Sequence, residues 1–223
     1  MKVLGIDTST LVARVAVVDG ERVLATAEHV ASPTASAKSG GRTTEILVAI
    51  DDACRAAGIG PRELDAVAVG AGPGSFTGLR IGMATAKGIA FAAGLPLWAV
   101  SSLAALAWGT HGRVMAVLDA RRGEVFAGLY RDGVLVGGER VMPPAELEAD
   151  ADAYIGDALA AHPMLAPLAA RWTHATPSAV AIAQLALAGA RVDVLIGGGP
   201  TYIRASEAEI RYPDGIPGAL RKP

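Results

Sequence analysis

A strand pattern that occurs twice at one offset constrains this chain more than any other feature. Val3-Leu4-Gly5-Ile6 is a short apolar run that stops at Asp7-Thr8-Ser9-Thr10. Val12 to Val18 then reaches Asp19-Gly20, and Arg22 to Ala27 follows. Val114 to Leu118 is again apolar and stops at Asp119-Ala120-Arg121-Arg122-Gly123. Val125 to Tyr130 reaches Asp132-Gly133, and Val134-Leu135-Val136 follows. The two turn aspartates lie 112 positions apart (7 to 119) and the two Asp-Gly pairs 113 apart (19 to 132). Short apolar runs bounded by turn residues read as strands, and Asp-Gly between two of them reads as a tight hairpin. Each half therefore opens on a three-stranded antiparallel meander. The boundary is predicted near 109–112, giving lobes 1–110 and 111–223.

Between the meanders the pattern changes. Ala31 to Arg42, rich in Ser, Ala and Gly with Pro33, reads as a mobile loop. Thr43 or Thr44 is placed to cap a helix to Ala57, with Ile46, Ile50, Ala53 and Ala57 as its apolar stripe. Asp65 to Val69 reads as a buried strand. The run Gly70 to Arg80, with four glycines and Pro73, is a sharp turn into a helix over 77–93. On that helix Gly82, Ala86, Ala90 and Gly94 recur every fourth position and form a smooth ridge. Leu97–Val100 is the next strand, and Ser101 or Ser102 caps a helix to Trp108. In the second half the signals weaken: helices at 144–149, 157–162 and from Pro177-Ser178 to about 190, and a strand at 154–156. Residues 193–197 are a strand or an extended connection, and an irregular tail begins at Gly199.

The residue inventory excludes several chemistries. Net charge is −2, which is not the footprint of a protein that grips nucleic acid by itself, and Arg204, Arg211, Arg221 and Lys222 make only a modestly basic tail. Cys54 is a lone cysteine and reads as a small core residue. His29, His111, His162 and His174 are scattered, so no metal site is expected. The glycine loop lacks the Gly-Lys-Ser/Thr of a phosphate-binding P-loop. Ser75 lies in Gly-Ser-Phe-Thr-Gly, outside a nucleophile elbow. The charge-free stretch 88–112 is broken by Gly94, Pro96, Ser101 and Ser102 and is not expected to span a membrane. Without secretory signal or cysteine framework, the cytoplasm is the expected compartment.

Two lobes that each open with a meander turning at an aspartate describe an α/β chain of the actin-like ATPase (ASKHA, ribonuclease H-like) fold, in its duplicated two-lobe form. In that superfold the two turns face each other across a cleft and hold phosphates and magnesium. Asp7, Thr8, Ser9 and Gly74 suit the first half of such a nucleotide cleft and Asp119 the second. No catalytic base is identifiable, so the cleft is expected to be vestigial. The alternative is a small ATP-dependent kinase or ATPase of the same superfold.

The stretches GPGSFTGLRIG (72–82), VLGIDTST (3–10), Leu118 to Val125 and Pro200-Thr201-Tyr202-Ile203-Arg204 resemble the TsaB (YeaZ) family. The resemblance covers most of the chain and is weakest over 137–195. It implies a non-catalytic subunit of the machinery that transfers a threonylcarbamoyl group to the adenosine beside the anticodon of tRNAs reading codons that begin with adenine. Catalysis would lie in the paralogue TsaD, with TsaE as an ATPase partner. The chain alone would need no cofactor, ATP-Mg belonging to the complex, and would touch tRNA weakly or indirectly.

The family resemblance also implies that the first-lobe helices pair with TsaD, or with a second copy when TsaD is absent. The residues assigned to that interface are Gly82, Ala86, Ala90, Ile46 and Ile50. One departure stands out: relatives often carry His-Ser-Glu where this chain has Thr43-Thr44-Glu45.

Overall fold

A computed structural model describes residues 1–30, 41–147 and 150–204, with the side chains of 41–44 outside the description. The first meander is β1 (Lys2–Asp7), β2 (Val12–Asp19) and β3 (Arg22–Val30). Helix α1 (Gly41–Ala57), β4 (Ala66–Gly70), α2 (Phe76–Ala93), β5 (Leu97–Val100) and α3 (Ser102–Ala107) follow. The second is β6 (Arg113–Arg121), β7 (Glu124–Arg131) and β8 (Val134–Met142). Then come β9 (Ala153–Gly156), β10 (Trp172–His174), α4 (Ala179–Leu187) and β11 (Val192–Asp193).

The duplication is complete at the level of the sheets. One sheet has the order β11-β5-β4-β1-β2-β3 and the other β10-β9-β6-β7-β8. In both, the first strand pairs antiparallel with the second and parallel with the fourth. Apart from β11 the two orders superpose element for element, which is the duplicated actin-like fold. The Asp-Gly hairpins form as expected, with Gly20 at φ 59° and Asp132-Gly133 at 51° and 78°.

The central strand β1 is apolar without interruption because both of its faces are covered. Leu4 and Ile6 join Ile46, Ile50, Met83 and Ala86 under α1 and α2. On the other face Val3 joins Ala66, Ala68 and Ile182 under α4, and a side chain at Gly5 would collide with the Ala179 backbone. The small residues thus let α4 lie close to the sheet.

Helices α3 and α4 are exchanged between the sheets. Helix α3 follows the first sheet, yet Leu103, Leu106 and Ala107 pack against Ala116, Leu118, Phe126 and Tyr130 of the second. Helix α4 follows the second sheet, yet packs on the first, where β11 also pairs with β5. Ser101 caps α3, accepting from the Ala104 amide at 3.1 Å, and donates to the Glu139 carboxylate of β8. Tyr130 donates to the same carboxylate at 2.7 Å, so one residue of the second sheet holds the start of α3.

Several expected elements shift. Helix α1 begins at Gly41, so Thr43 and Thr44 lie within it and do not cap it, and β3 extends to Val30. The helices expected at 144–149 and 157–162 are single 3-10 turns, Pro144–Glu146 and Ala158–Ala160. An unanticipated 3-10 segment, Pro163–Arg171, brings Leu165 under the second sheet where α2 lies in the first. Helix α4 stops at Leu187, and the strand expected within 193–197 is the two-residue β11. The loop expected at 31–42 falls mostly outside the described residues, as do Arg211, Arg221 and Lys222.

Candidate functional site: an inter-lobe cleft with one filled turn

Strands β1 and β4 run parallel, so Asp7 and Gly70 end side by side at the carboxyl edge of the first sheet. The Asp7 carboxylate is fully buried. It accepts from the Ser9 amide (3.1 Å), the Ser9 hydroxyl (2.7 Å) and the Ser102 hydroxyl (3.3 Å). It therefore closes its own turn and faces inward. Thr8 is buried as well and donates its hydroxyl to the Gly78 carbonyl at 2.8 Å.

The space above this turn is taken by the glycine loop and the first turns of α2. A Cβ on Gly70 would overlap the Asp7 carboxylate. On Gly74 it would lie 2.6 Å from the Ser9 Cβ, on Gly78 it would overlap the Thr8 carbonyl oxygen, and on Gly82 the Thr8 hydroxyl. The Ser75 amide donates to the Ser9 carbonyl at 2.7 Å, and the Ser75 hydroxyl accepts the Gly78 amide at 3.3 Å, capping α2. Four glycines at four-residue spacing thus let one helix entrance fit down onto residues 7–9. Two amides at this helix start, those of Ser75 and Gly78, are already used. The first turn also presents no outward carboxylate to the ATP-Mg of the superfold. Among the described residues no group of three or more His, Cys, Asp or Glu is disposed to hold a metal ion.

The second turn is different. Asp119 accepts from the Arg121 amide at 2.8 Å and lies 3.1 Å from both the Arg121 guanidinium and the His162 ring. Its own amide donates to Asp157 at 2.9 Å, and burial pushes the Asp157 carboxyl up from its ordinary value. Asp119 and Asp157 both line a cleft of about 850 Å³ between the lobes. Across it stand Ser9, Gly74, Ser75, Phe76 and Arg80.

A strap of the tail crosses this cleft. Lys87 of α2 donates to the Gly198 carbonyl at 2.5 Å, and the Thr201 amide donates to the Ala71 carbonyl at 2.7 Å. Tyr202 stands with its ring 5.0 Å from that of Phe76, and its hydroxyl accepts from Arg80 at 3.0 Å. Arg204 then reaches the second lobe, donating to the Ala120 carbonyl at 2.7 Å and to the Glu124 carboxylate.

The structure thus separates the residues expected at the cleft. Ser9, Gly74 and Asp119 line it; Asp7 and Thr8 are behind its wall. The interface assignment requires correction. Gly82, Ala86, Ala90, Ile46 and Ile50 are all buried, with Ala86 and Ala90 fully enclosed, and the four larger ones belong to one core cluster under the first sheet. A four-residue stripe of small residues serves close packing wherever it points, and here it points at Thr8 and the sheet. The outward face of the same helix carries Thr77, Arg80, Ala84, Gly88 and Phe91, and α1 beside it exposes Leu47 and Val48. The strap was not anticipated as a site element, although its residues lie in the quoted stretch 200–204. The glycine spacing was detectable by extending the period of Gly82 back to Gly78, Gly74 and Gly70.

Burial raises the Asp7 carboxyl from 3.8 to about 6, against the opposing hydrogen bonds of Ser9 and Ser102. Between those values the folded chain keeps a proton that the unfolded chain has released. Stability therefore falls as pH rises through this window and stays lower above it. Asp7→Asn keeps an acceptor for Ser9 and carries no charge. Its stability relative to wild type should rise by about 3 kcal/mol as pH increases through the interval between the two values and then level off. Denaturant titrations at pH 4 and pH 8 measure this; equal differences at both would refute it.

Compared with known proteins, residues 33–211 match the family described as TsaD, tRNA N6-adenosine threonylcarbamoyltransferase. An uncharacterized protein of Mycobacterium leprae is 43% identical over 148 residues, covering 66% of this chain and 40% of that protein. The tRNA threonylcarbamoyladenosine biosynthesis protein TsaB of Escherichia coli is 37% identical over 141 residues, 59% of this chain and 55% of its own. The chain thus spans about half the length of these curated relatives. A crystal structure described as an uncharacterized protein with similarity to peptidase YEAZ, from Pseudomonas aeruginosa, is 31% identical. It superposes with a TM-score of 0.74 over 91% of this chain and 99% of that one.

Proposed function

Because this chain belongs to the TsaB (YeaZ) family, within the wider family of TsaD-type proteins, we propose that it is an accessory subunit in tRNA threonylcarbamoyladenosine formation. It pairs with a TsaD-type catalytic subunit and performs no group transfer itself. The observation that carries this reading is the outward face of α1 and α2. Leu47, Val48 and Phe91 are 47%, 51% and 82% exposed there, beside Ala84 and Gly88. Apolar side chains exposed on two neighbouring helices, with small residues between them along α2, fit a close helical contact with another subunit. The filled first turn supports an accessory role, since nucleotide chemistry would then fall to other members of the complex, the TsaD-type subunit and an ATPase of the TsaE kind.

No helix among the described residues is long and apolar enough to cross a membrane; we place the subunit in the cytoplasm with the tRNA. Purified chain mixed with the TsaD-type paralogue of the same organism should co-elute as a heterodimer on a sizing column with light scattering. The chain alone should form a dimer through the same face, one that the paralogue displaces. Separate elution at micromolar concentrations would overturn the reading.

A further inference from the structure

We infer that the inter-lobe cleft binds single-stranded RNA, one or more bases stacking at its first-lobe wall and the phosphates meeting arginines from both lobes. The choice of RNA as the anion rests on the role proposed above, and the recognition chemistry on the residues that line the cleft. The chain carries a net charge of −2, yet four arginines and only two aspartates line the cleft. Arg121 is paired with Asp119 and Arg204 with Glu124. Arg80 and Arg204 come from one side and from the strap, Arg121 and Arg122 from the β6–β7 hairpin. Arg121 and Arg122 both lie in the left-handed region, at φ 63° and 57°, a conformation that costs a bulky residue energy and clusters at working sites. Here it turns two consecutive cationic side chains to the cleft, and both residues are exposed.

The first-lobe wall is aromatic. Phe76 and Tyr202 are 39% and 41% exposed, and the Arg80 guanidinium lies 3.9 Å from the centre of the Phe76 ring. Exposed rings topped by arginine, within a groove of positive charge, are the recurring surface for unpaired bases and their backbone. Thr176 and Thr201 add hydroxyls along the same walls, suited to phosphate and 2′-hydroxyl oxygens. A lone nucleotide with magnesium fits less well, because the carboxylate of the first turn faces inward and the glycine loop crowds against the turn. Whole-chain charge does not record how many arginines converge on this one cleft.

The test is fluorescence anisotropy of a labelled single-stranded oligoribonucleotide, about ten nucleotides long, titrated with the full chain and without any TsaD-type protein. Its failure would thus leave the pairing result untouched. Arg122→Glu should weaken binding at least ten-fold. Arg62→Glu, the same charge change at an exposed residue outside the cleft, should weaken it less than two-fold, with equal melting temperatures as the folding control. Affinity should fall with salt, and AMP or inorganic phosphate should displace the RNA only at far higher concentration. Equal losses in the two variants, displacement by AMP as effective as by RNA, or no binding at low salt would each overturn the proposal.

Discussion

Replacing Gly78 by alanine should lower the melting temperature by roughly 4–8 °C, although alanine is the better helix former. Propensity alone would favour the change by about 1 kcal/mol. The added Cβ, however, would overlap the carbonyl oxygen of Thr8 and sit 3.3 Å from the Ser75 Cβ. Its main obstacle is main chain, held by the Thr8 hydroxyl bond to the Gly78 carbonyl and by the Ser75 cap. Overpacking of this kind costs about 3 kcal/mol, leaving a net loss of about 2 kcal/mol; in a chain of this length each kcal/mol moves the melting temperature by about 2–4 °C. Gly88 on the same helix supplies the contrast. Nothing lies within 4 Å of its Cβ position, so Gly88→Ala should raise stability by about 1 kcal/mol. Calorimetric melts of the two variants should move in opposite directions. A Gly78→Ala protein that melts like wild type would show that the helix entrance is not seated on residues 7–9.

Two glutamates placed two positions apart should have unlike consequences. Ala86 is fully enclosed in the cluster that contains Ala53, Val67 and Val69. Ala86→Glu would put a carboxylate among hydrocarbon with no partner, and the expected outcome is loss of the fold rather than loss of an interface. Ala84 is exposed on the opposite side of the helix. Ala84→Glu should melt within about 0.5 kcal/mol of wild type and abolish co-elution with the TsaD-type subunit at micromolar concentrations. Circular dichroism separates the first result and sizing chromatography the second. A folded Ala86→Glu protein would show that this position is not enclosed, and an Ala84→Glu protein that still pairs would displace the proposed contact from this face.

The sheets were legible because hairpin chemistry and burial are written locally. Asp19-Gly20 and Asp132-Gly133 mark turns by their residue types, and the unbroken apolar runs of β1 and β6 mark strands covered on both sides. Direction was not legible. Asp7 stands at the end of a strand whether its carboxylate faces a cleft or its own amides, and only the packing of Ser102 and Gly70 decides between them. The Gly82–Ala86–Ala90 period says that something approaches closely, not what; the sheet and Thr8 do. The second half was read least well because it is built partly of 3-10 turns, whose three-residue period differs from the roughly 3.6-residue period that marks an α-helix. The strap over the cleft makes its contacts with residues more than eighty positions away, as between Arg204 and Ala120, which no local pattern records.

The exchange of α3 and α4 makes the chain one thermodynamic unit. If the second half came apart, α4 would leave the first sheet with Val3, Ala66 and Ala68 bare to water; if the first half did, α3 would leave Leu118 and Phe126 uncovered. Neither repeat retains a complete core of its own. The ancestral unit, copied once, can no longer stand as a single copy, and heat or denaturant should find no stable half-molecule between the native and unfolded states.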